Sequence, residues 1–289
     1  MSFSSLIRRL IAALPAPAAR RLLYLHRFHR FPNTRFPRTF QEKLNVRILR
    51  DRRMLLVEAS SKVLSKEYAS SKNIPGLRIP RTYWHGRNIG DMHGRELDFN
   101  WVLKPSHRSG GVELGLRGKF DVSALRYAPE KLLREREYRT SKLWAYREAP
   151  RELLLEERIG GPEESLSDYK FFVFDGRVQM IQLDSGRFGS HTRVLYTREW
   201  VPRPEAFGVP RGTPQAPPPI LTKLLDIAEA LGEDFDFVRV DLYVWEGEVY
   251  FGELTVYPGG GLSPWPEKLD AEMGSHWILP QSLTSSPER

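Results

Sequence analysis

Cysteine is absent from all 289 residues. That absence excludes disulfides, thiolate zinc sites and a catalytic thiol, and it is compatible with a reducing compartment. No apolar run is long enough to cross a membrane. The first apolar stretch, Leu6, Ile7, Leu10, Ile11 and Leu14, keeps helical spacing but is interrupted by Arg8 and Arg9. Such a segment makes a poor signal peptide and a reasonable amphipathic helix, so a cytoplasmic protein is the expectation. Internal repeats are missing, and so is any recognisable nucleic-acid motif; no nucleic-acid partner is expected. Zinc is not expected either, because His26 and His29 share a basic arm without an acidic partner nearby.

What is present reads as one soluble α/β unit of two or three lobes. Hydrophobic residues make up 40% and charged residues 28%, within the globular range. The net charge of +8 predicts a surface that attracts anions, whether nucleotide, polysaccharide, lipid headgroup or nucleic acid. Residues 1–38 form a strongly basic arm, read either as helices docked on the body or as a surface for anionic membrane or polymer. Residues 39–98 form a second region. It is opened by the capping box Thr39-Phe40-Gln41-Glu42 and a helix, followed by a helical stretch from Leu55 to Ser71 and a short strand at Thr82-Tyr83-Trp84.

Residues 99–280 carry most strand signals, in two lobes at 99–159 and 160–280, with a tail at 281–289. Strands are predicted at 99–104, 112–116, 153–157, 169–174, 178–183 and 192–196, with a charged helix from Ser123 to Tyr146. A proline-rich loop at 201–219 and a helix at 220–231 precede a final hairpin, 237–245 with 249–256, turned through Glu246-Gly247.

In that hairpin Arg239, Asp241 and Tyr243 alternate with Val238, Val240 and Leu242, which puts the polar set on one face. Glu253 and Thr255 share a face of the partner strand. Carboxylates on adjacent strands can supply oxygen ligands to magnesium, which favours carboxylates plus nucleotide phosphates. A solvated polar face would use the same residues; the apolar alternation and the Pro258-Gly259-Gly260-Gly261 loop favour a site. Lys104, at a strand end before Ser106 to Gly111, can meet phosphates as a point charge beside backbone N–H groups. The segment lacks the Gly-Lys-Ser/Thr ending of a P-loop. Asp168 and Lys170 share a strand face, and Glu156 and Glu157 end an apolar strand where they can frame a base and ribose.

Taken in order, Val102-Leu103-Lys104-Pro105, Leu155-Glu156-Glu157-Arg158-Ile159, Asp168-Tyr169-Lys170, Arg239-Val240-Asp241 and Glu253-Leu254-Thr255-Val256-Tyr257-Pro258-Gly259 resemble the ATP-grasp superfamily. Thr39 to Asn45, Asp168 to Phe172, Val238 to Tyr243 and Tyr250 to Thr255 resemble its TupA-like branch, associated with teichuronopeptide and other surface-polymer biosynthesis.

The resemblance implies an ATP-grasp fold of two α+β lobes clasping ATP, here with a basic helical N-terminal extension. It implies ATP and two Mg2+ as cofactors, with Asp241, Glu253 and Thr255 as metal ligands. Threonine stands where D-alanine-type ligases have asparagine, which puts the second metal position in question. Lys104 and Lys170 would contact phosphates under a closing loop containing Ser109, Gly110 and Gly111. Glu156, Glu157 and Ile159 would meet the adenosine, Asp168 the ribose. Arg239, Lys170 and Arg187 form the implied catalytic set. The implied reaction is ATP-dependent ligation of a small-molecule or polymer carboxylate to an amine through an acyl phosphate. A kinase with a hydroxyl acceptor and a non-catalytic polyanion-binding protein are the alternatives.

Overall fold

The computed structural model describes residues 9–134, 137–161, 166–186 and 189–284. Two antiparallel sheets dominate it. The larger runs β1-β12-β11-β8-β9-β10 and the smaller β2-β7-β4-β5. The strands are β1 (Leu77–Arg78), β2 (Thr82–Gly86), β3 (Glu96–Leu97), β4 (Trp101–Pro105), β5 (Glu113–Gly115), β6 (Gly118–Lys119), β7 (Leu153–Glu157), β8 (Asp168–Phe174), β9 (Arg177–Ser185), β10 (Thr192–Tyr196), β11 (Phe237–Trp245) and β12 (Glu248–Thr255). Only β1 breaks the antiparallel pattern, lying parallel to β12, while β3 and β6 form a separate pair. Residues 77–86 thus give one strand to each large sheet.

Tight turns set the registers. Asp175-Gly176 joins β8 to β9 and Glu246-Gly247 joins β11 to β12, each pair with φ positive at both residues, as two-residue hairpins of matching twist require. A bulge at Gly252 moves the register, so Asp241 faces Glu253 but Leu242 faces Phe251.

Helix α1 (Ala16–Phe28) lies before α2 (Phe40–Arg50), whose capping box forms as predicted: Thr39 Oγ1 accepts from Glu42 N at 3.3 Å. Phe40, fully buried, stacks on Trp265 at 4.6 Å and meets Phe237 edge-on at 4.9 Å, the centre of the larger core. A smaller core of Leu97, Leu103, Phe120, Leu132 and Leu155 underlies the four-stranded sheet.

Two helical predictions need correction. The stretch 55–71 is split into α3 (Met54–Ser60) and α4 (Lys62–Ser71), because Ser61 takes an extended conformation and caps Leu64 N. The predicted helix 123–146 is broken into α5 (Pro129–Leu133), α6 (Glu137–Ser141) and α7 (Trp144–Glu148). Pro129 excludes Ala128 from the helical region, and Lys142 turns left-handed at φ 59°. Helices α8 (Leu221–Gly232), α9 (Glu267–His276) and α10 (Gln281–Thr284) follow the prolines.

Candidate active site

Two cavities meet between the sheets. The first, about 280 Å³, is lined by Lys62, Lys104, Gly110, Glu156 to Ile159, Asp168, Asp241 and the apolar side chains Val102, Val112, Leu114, Leu166 and Phe251. The second, about 290 Å³, is lined by His107, Arg108, Tyr138, Ser141, Tyr146, Arg239, Thr255, Tyr257, Gly259 and Gly260. Ser109 and Glu253 line both. On the β4–β7 pair Glu157 stands opposite Trp101 while Lys104 stands opposite Leu154. Three residues of strand separate those positions by about 10 Å, so the first cavity runs from the 157–159 segment to a lysine end.

The lysine end is a buried ion cluster. Glu156 receives Lys104 on one carboxylate oxygen and Lys66 on the other, at 2.5 and 2.6 Å. Burial alone would raise the Glu156 carboxyl; the two ammonium groups outweigh it and hold it below its ordinary value. Lys62, first residue of α4, donates to the Arg108 carbonyl at 2.9 Å. Burial and the nearby Lys104 pull its ammonium downward, opposed by Glu253 and Glu156. The loop from Ser106 is tied to the same helix end: Lys62 N donates to Ser106 O at 3.1 Å and Val63 N to Ser106 Oγ at 3.2 Å.

Opposite lies the polar face of the larger sheet. Arg239 forms a two-pronged bond to Asp241, both arms at 2.6 Å, and its Nη2 also reaches Glu253 at 3.2 Å and Thr255 Oγ1 at 3.0 Å. Beneath them Lys170, 3% exposed, sits 2.8 Å from Asp168, 3.4 Å from Asp241 and 3.8 Å from Asp184. Asp184 is held in turn by Arg193 at 2.7 Å. Burial raises Asp241, with Arg239 and Lys170 pulling back and Glu253 adding repulsion. Glu253, with a side chain 36% exposed to the cleft, drops to about 2: burial opposes the drop, but Lys62, Arg239, Lys170 and Lys104 all favour its charge. Perturbed carboxylates in a cleft, framed by four cations, are the electrostatic signature of a functional site.

The sequence profile of the TupA-like ATP-grasp family matches residues 42–278, most of the chain and both sheets. The chain belongs to the TupA-like ATP-grasp family.

A comparison with curated proteins finds no match. Similar solved structures include the D-alanine–D-alanine ligase of Bacillus anthracis, at 16% identity and TM-score 0.41 over 75% of this chain and 62% of that one. Others are the VanG D-Ala:D-Ser ligase of Enterococcus faecalis, at 13% and 0.42 over 76% and 60%, and the macrocyclase MdnC bound with precursor peptide MdnA from Microcystis aeruginosa, at 14% and 0.36 over 78% and 62%. The chain spans about three fifths of the length of these proteins. Their TM-scores are low, and the fold assignment rests on the family match.

Within this ATP-grasp cleft the predicted residues fall into three groups. Lys104, Ser109, Gly110, Glu156, Glu157, Ile159, Asp168, Asp241 and Glu253 line the first cavity, and Arg239 and Thr255 line the second. Lys170 lies behind the wall, within the carboxylate cluster, and Gly111 turns away toward Leu132. Arg187 is outside the described residues. Lys62 and Lys66 were not foreseen: they sit in a helical stretch far upstream, and only the split at Ser61 points α4 into the cleft. His107 lines the second cavity; burial, with Arg108, Arg151 and Lys62, pushes it down to about 4.

Asp241, Glu253 and Thr255 offer oxygen donors only, the chemistry magnesium takes. Among the described residues no cluster of three or more histidine or acidic side chains forms a metal cage. Two carboxylates suit a cation that keeps water and phosphate in its shell, so this donor set fits Mg2+ carried by a nucleotide.

Proposed function

We propose that this protein is an ATP-dependent carboxylate–amine ligase that forms ADP through an acyl phosphate. The observation that carries the reading is the meeting of two cavities at Glu253, one with a lysine end and one walled by Arg239. ATP takes the first cavity, its base at the 157–159 segment among Val102, Leu114, Ile159 and Phe251, and its phosphates toward Lys104 and Lys62. The carboxylate substrate takes the second. Asp241 and Glu253 would hold Mg2+, two ions being expected, which neutralises phosphate charge. Lys104 and Lys62 orient the γ-phosphoryl group, and Arg239 stabilises negative charge as it develops on the transferred group.

In the first step a carboxylate oxygen attacks the γ-phosphorus and ADP leaves. In the second an amine attacks the acyl carbon, and orthophosphate leaves as the C–O bond breaks. Loop 106–111, anchored on α4, shields the junction from water. The family resemblance favours a sugar acid or amino acid destined for a surface polymer as substrate, and the basic arm an anionic membrane or polysaccharide as a contact surface.

A coupled screen across amino acids and uronic acids identifies the pair. With it, hydroxylamine in place of the amine should yield a hydroxamate, and oxygen label in the substrate carboxylate should appear in the orthophosphate. A stable phosphorylated hydroxyl product would establish the kinase instead.

A further inference from the structure

Arg20 lies on α1, before the residues that the family profile matches, and is 1% exposed. Its guanidinium reaches three separate parts of the chain. Nε and Nη2 donate to Asn45 Oδ1 on α2 at 2.9 and 2.6 Å, Nη1 donates to the Ser141 carbonyl at the end of α6 at 3.1 Å, and Nη2 donates to the Gly260 carbonyl at 2.8 Å. Asn45 completes the arrangement, its Nδ2 donating to the Gly261 carbonyl at 2.8 Å. Ser141 and Gly260 are both walls of the second cavity.

The glycine loop needs such a holder. Gly259, Gly260 and Gly261 follow one another at φ 57°, 61° and 68°, a left-handed run that only glycine adopts without strain and that stays flexible in water. A Cβ at Gly261 would meet Arg20 Nη2 at 3.0 Å and Asn45 Nδ2 at 3.1 Å, so the fit is close. Burial lowers the Arg20 guanidinium to about 10. Its hydrogen-bond partners are neutral amide and carbonyl oxygens, which satisfy the fork but leave its charge without a carboxylate. Burying a charge in that way costs free energy, and in return the arginine ties Ser141 and Gly260 together through one guanidinium.

We propose that Arg20, with Asn45, is a positioning residue for the carboxylate side of the cleft, so that the N-terminal arm fixes the wall of the second cavity. This inference rests on assigning that cavity to the acid substrate. Neither segment lines the first cavity, the one assigned to ATP, so nucleotide affinity should change less than acid affinity when the clamp is lost.

The test uses the full chain with Arg20→Met, Arg20→Lys and Asn45→Ala. Amide hydrogen exchange should quicken at residues 259–262 and 141–144, by tenfold or more in Arg20→Met and less in Asn45→Ala, with the β8–β9 hairpin unchanged. The KM for the acid found by the screen should rise at least tenfold, while the Kd of a non-hydrolysable ATP analogue with Mg2+ stays within twofold. Arg20→Lys keeps the charge but cannot span three acceptors with one ammonium, so it should not recover the acid KM. Unchanged exchange at 259–262, or an equal loss of nucleotide and acid affinity, overturns the clamp. Should Arg20→Met fail to fold, Asn45→Ala and Arg20→Lys decide by the same readouts. The exchange measurement needs no turnover, so failure of the ligase reading would be distinguished from failure of this one.

Discussion

Asp241 and Glu253 face each other across β11 and β12, yet their surroundings make them unequal. Asp241 is buried between Arg239 and Lys170 and its carboxyl is raised by that burial, while Arg239 keeps Glu253 and Lys170 keeps Asp168 as further partners. Glu253 is open to the cleft and is held charged by Lys62, Arg239, Lys170 and Lys104, so Glu253→Gln removes charge that favours the fold as well as a metal ligand. Measured where circular dichroism shows the variant folded, it should lower ADP release at least a hundredfold with some fall in melting temperature, whereas Asp241→Asn should lose activity with a smaller change in melting temperature. Wild-type turnover in Glu253→Gln would remove the metal assignment. His107 gives a second test at this scale. Its folded value near 4 lies below the 6.5 of a free imidazole, so between those values the unfolded chain binds a proton that the folded protein refuses. Its contribution is therefore complete above pH 6.5 and is lost as pH falls toward 4, by at most about 3 kcal/mol. Urea titrations at pH 7, 5.5 and 4.5 should show a shallower decline for His107→Gln, and parallel declines would contradict it.

Helix α2 shows how much an element can carry beyond its own length. Thr39 caps it, while Glu42 accepts from Arg30 at 2.6 Å and from the backbone of Asn33 and Arg38 at 3.2 and 3.1 Å. Phe40 then enters the aromatic core and Asn45 the glycine-loop clamp. Thr39→Ala should cost about 1 kcal/mol, the usual value of a side-chain cap, seen as a fall of about 2–4 °C in Tm. A shift indistinguishable from zero would mean that Glu42 and Arg30 hold the helix start without the threonine. The small-sheet side is less regular: α5, α6 and α7 are single turns, because Pro129 and the left-handed Lys142 interrupt a pattern that periodicity alone reads as one helix.

Across the whole molecule, charge is distributed by region. No acidic residue precedes Glu42, and the arm is bound to the body by Arg20, by Arg30 on Glu42 and by Arg27 on the Leu262 carbonyl at 3.2 Å. Among the described residues no helix is long and apolar enough to cross a membrane. Phe31 and Phe36 remain 61% and 65% exposed beside Arg35 and Arg38, rings beside cations that suit an anionic interface. Replacing both phenylalanines with serine should weaken sedimentation with vesicles rich in phosphatidylglycerol severalfold, and binding should fall with salt as screening shortens the reach of exposed charge to roughly 8–10 Å. Equal sedimentation of variant and wild type would show that these rings do not insert.

The sequence by itself determined the longer strands, the polar face of the last hairpin, the capping box and the family, because alternation, turn residues and motif order are local properties of the chain, whereas the two-residue strands β1, β3 and β6 carry no such pattern. Lys104, Asp241 and Glu253 were legible for that reason. Only the tertiary structure decided that Lys62 enters the cleft from a helix some forty residues before β4 with Lys66 on Glu156 beside it, that Lys170 lies beneath the cavity, and that Arg20 holds a glycine loop two hundred and forty positions away. A basic run has the same sequence signature whether its arginines meet water, lipid or buried carbonyls. Which of these each arginine meets depends on what the rest of the chain leaves unpaired once it has packed, and no local pattern encodes that.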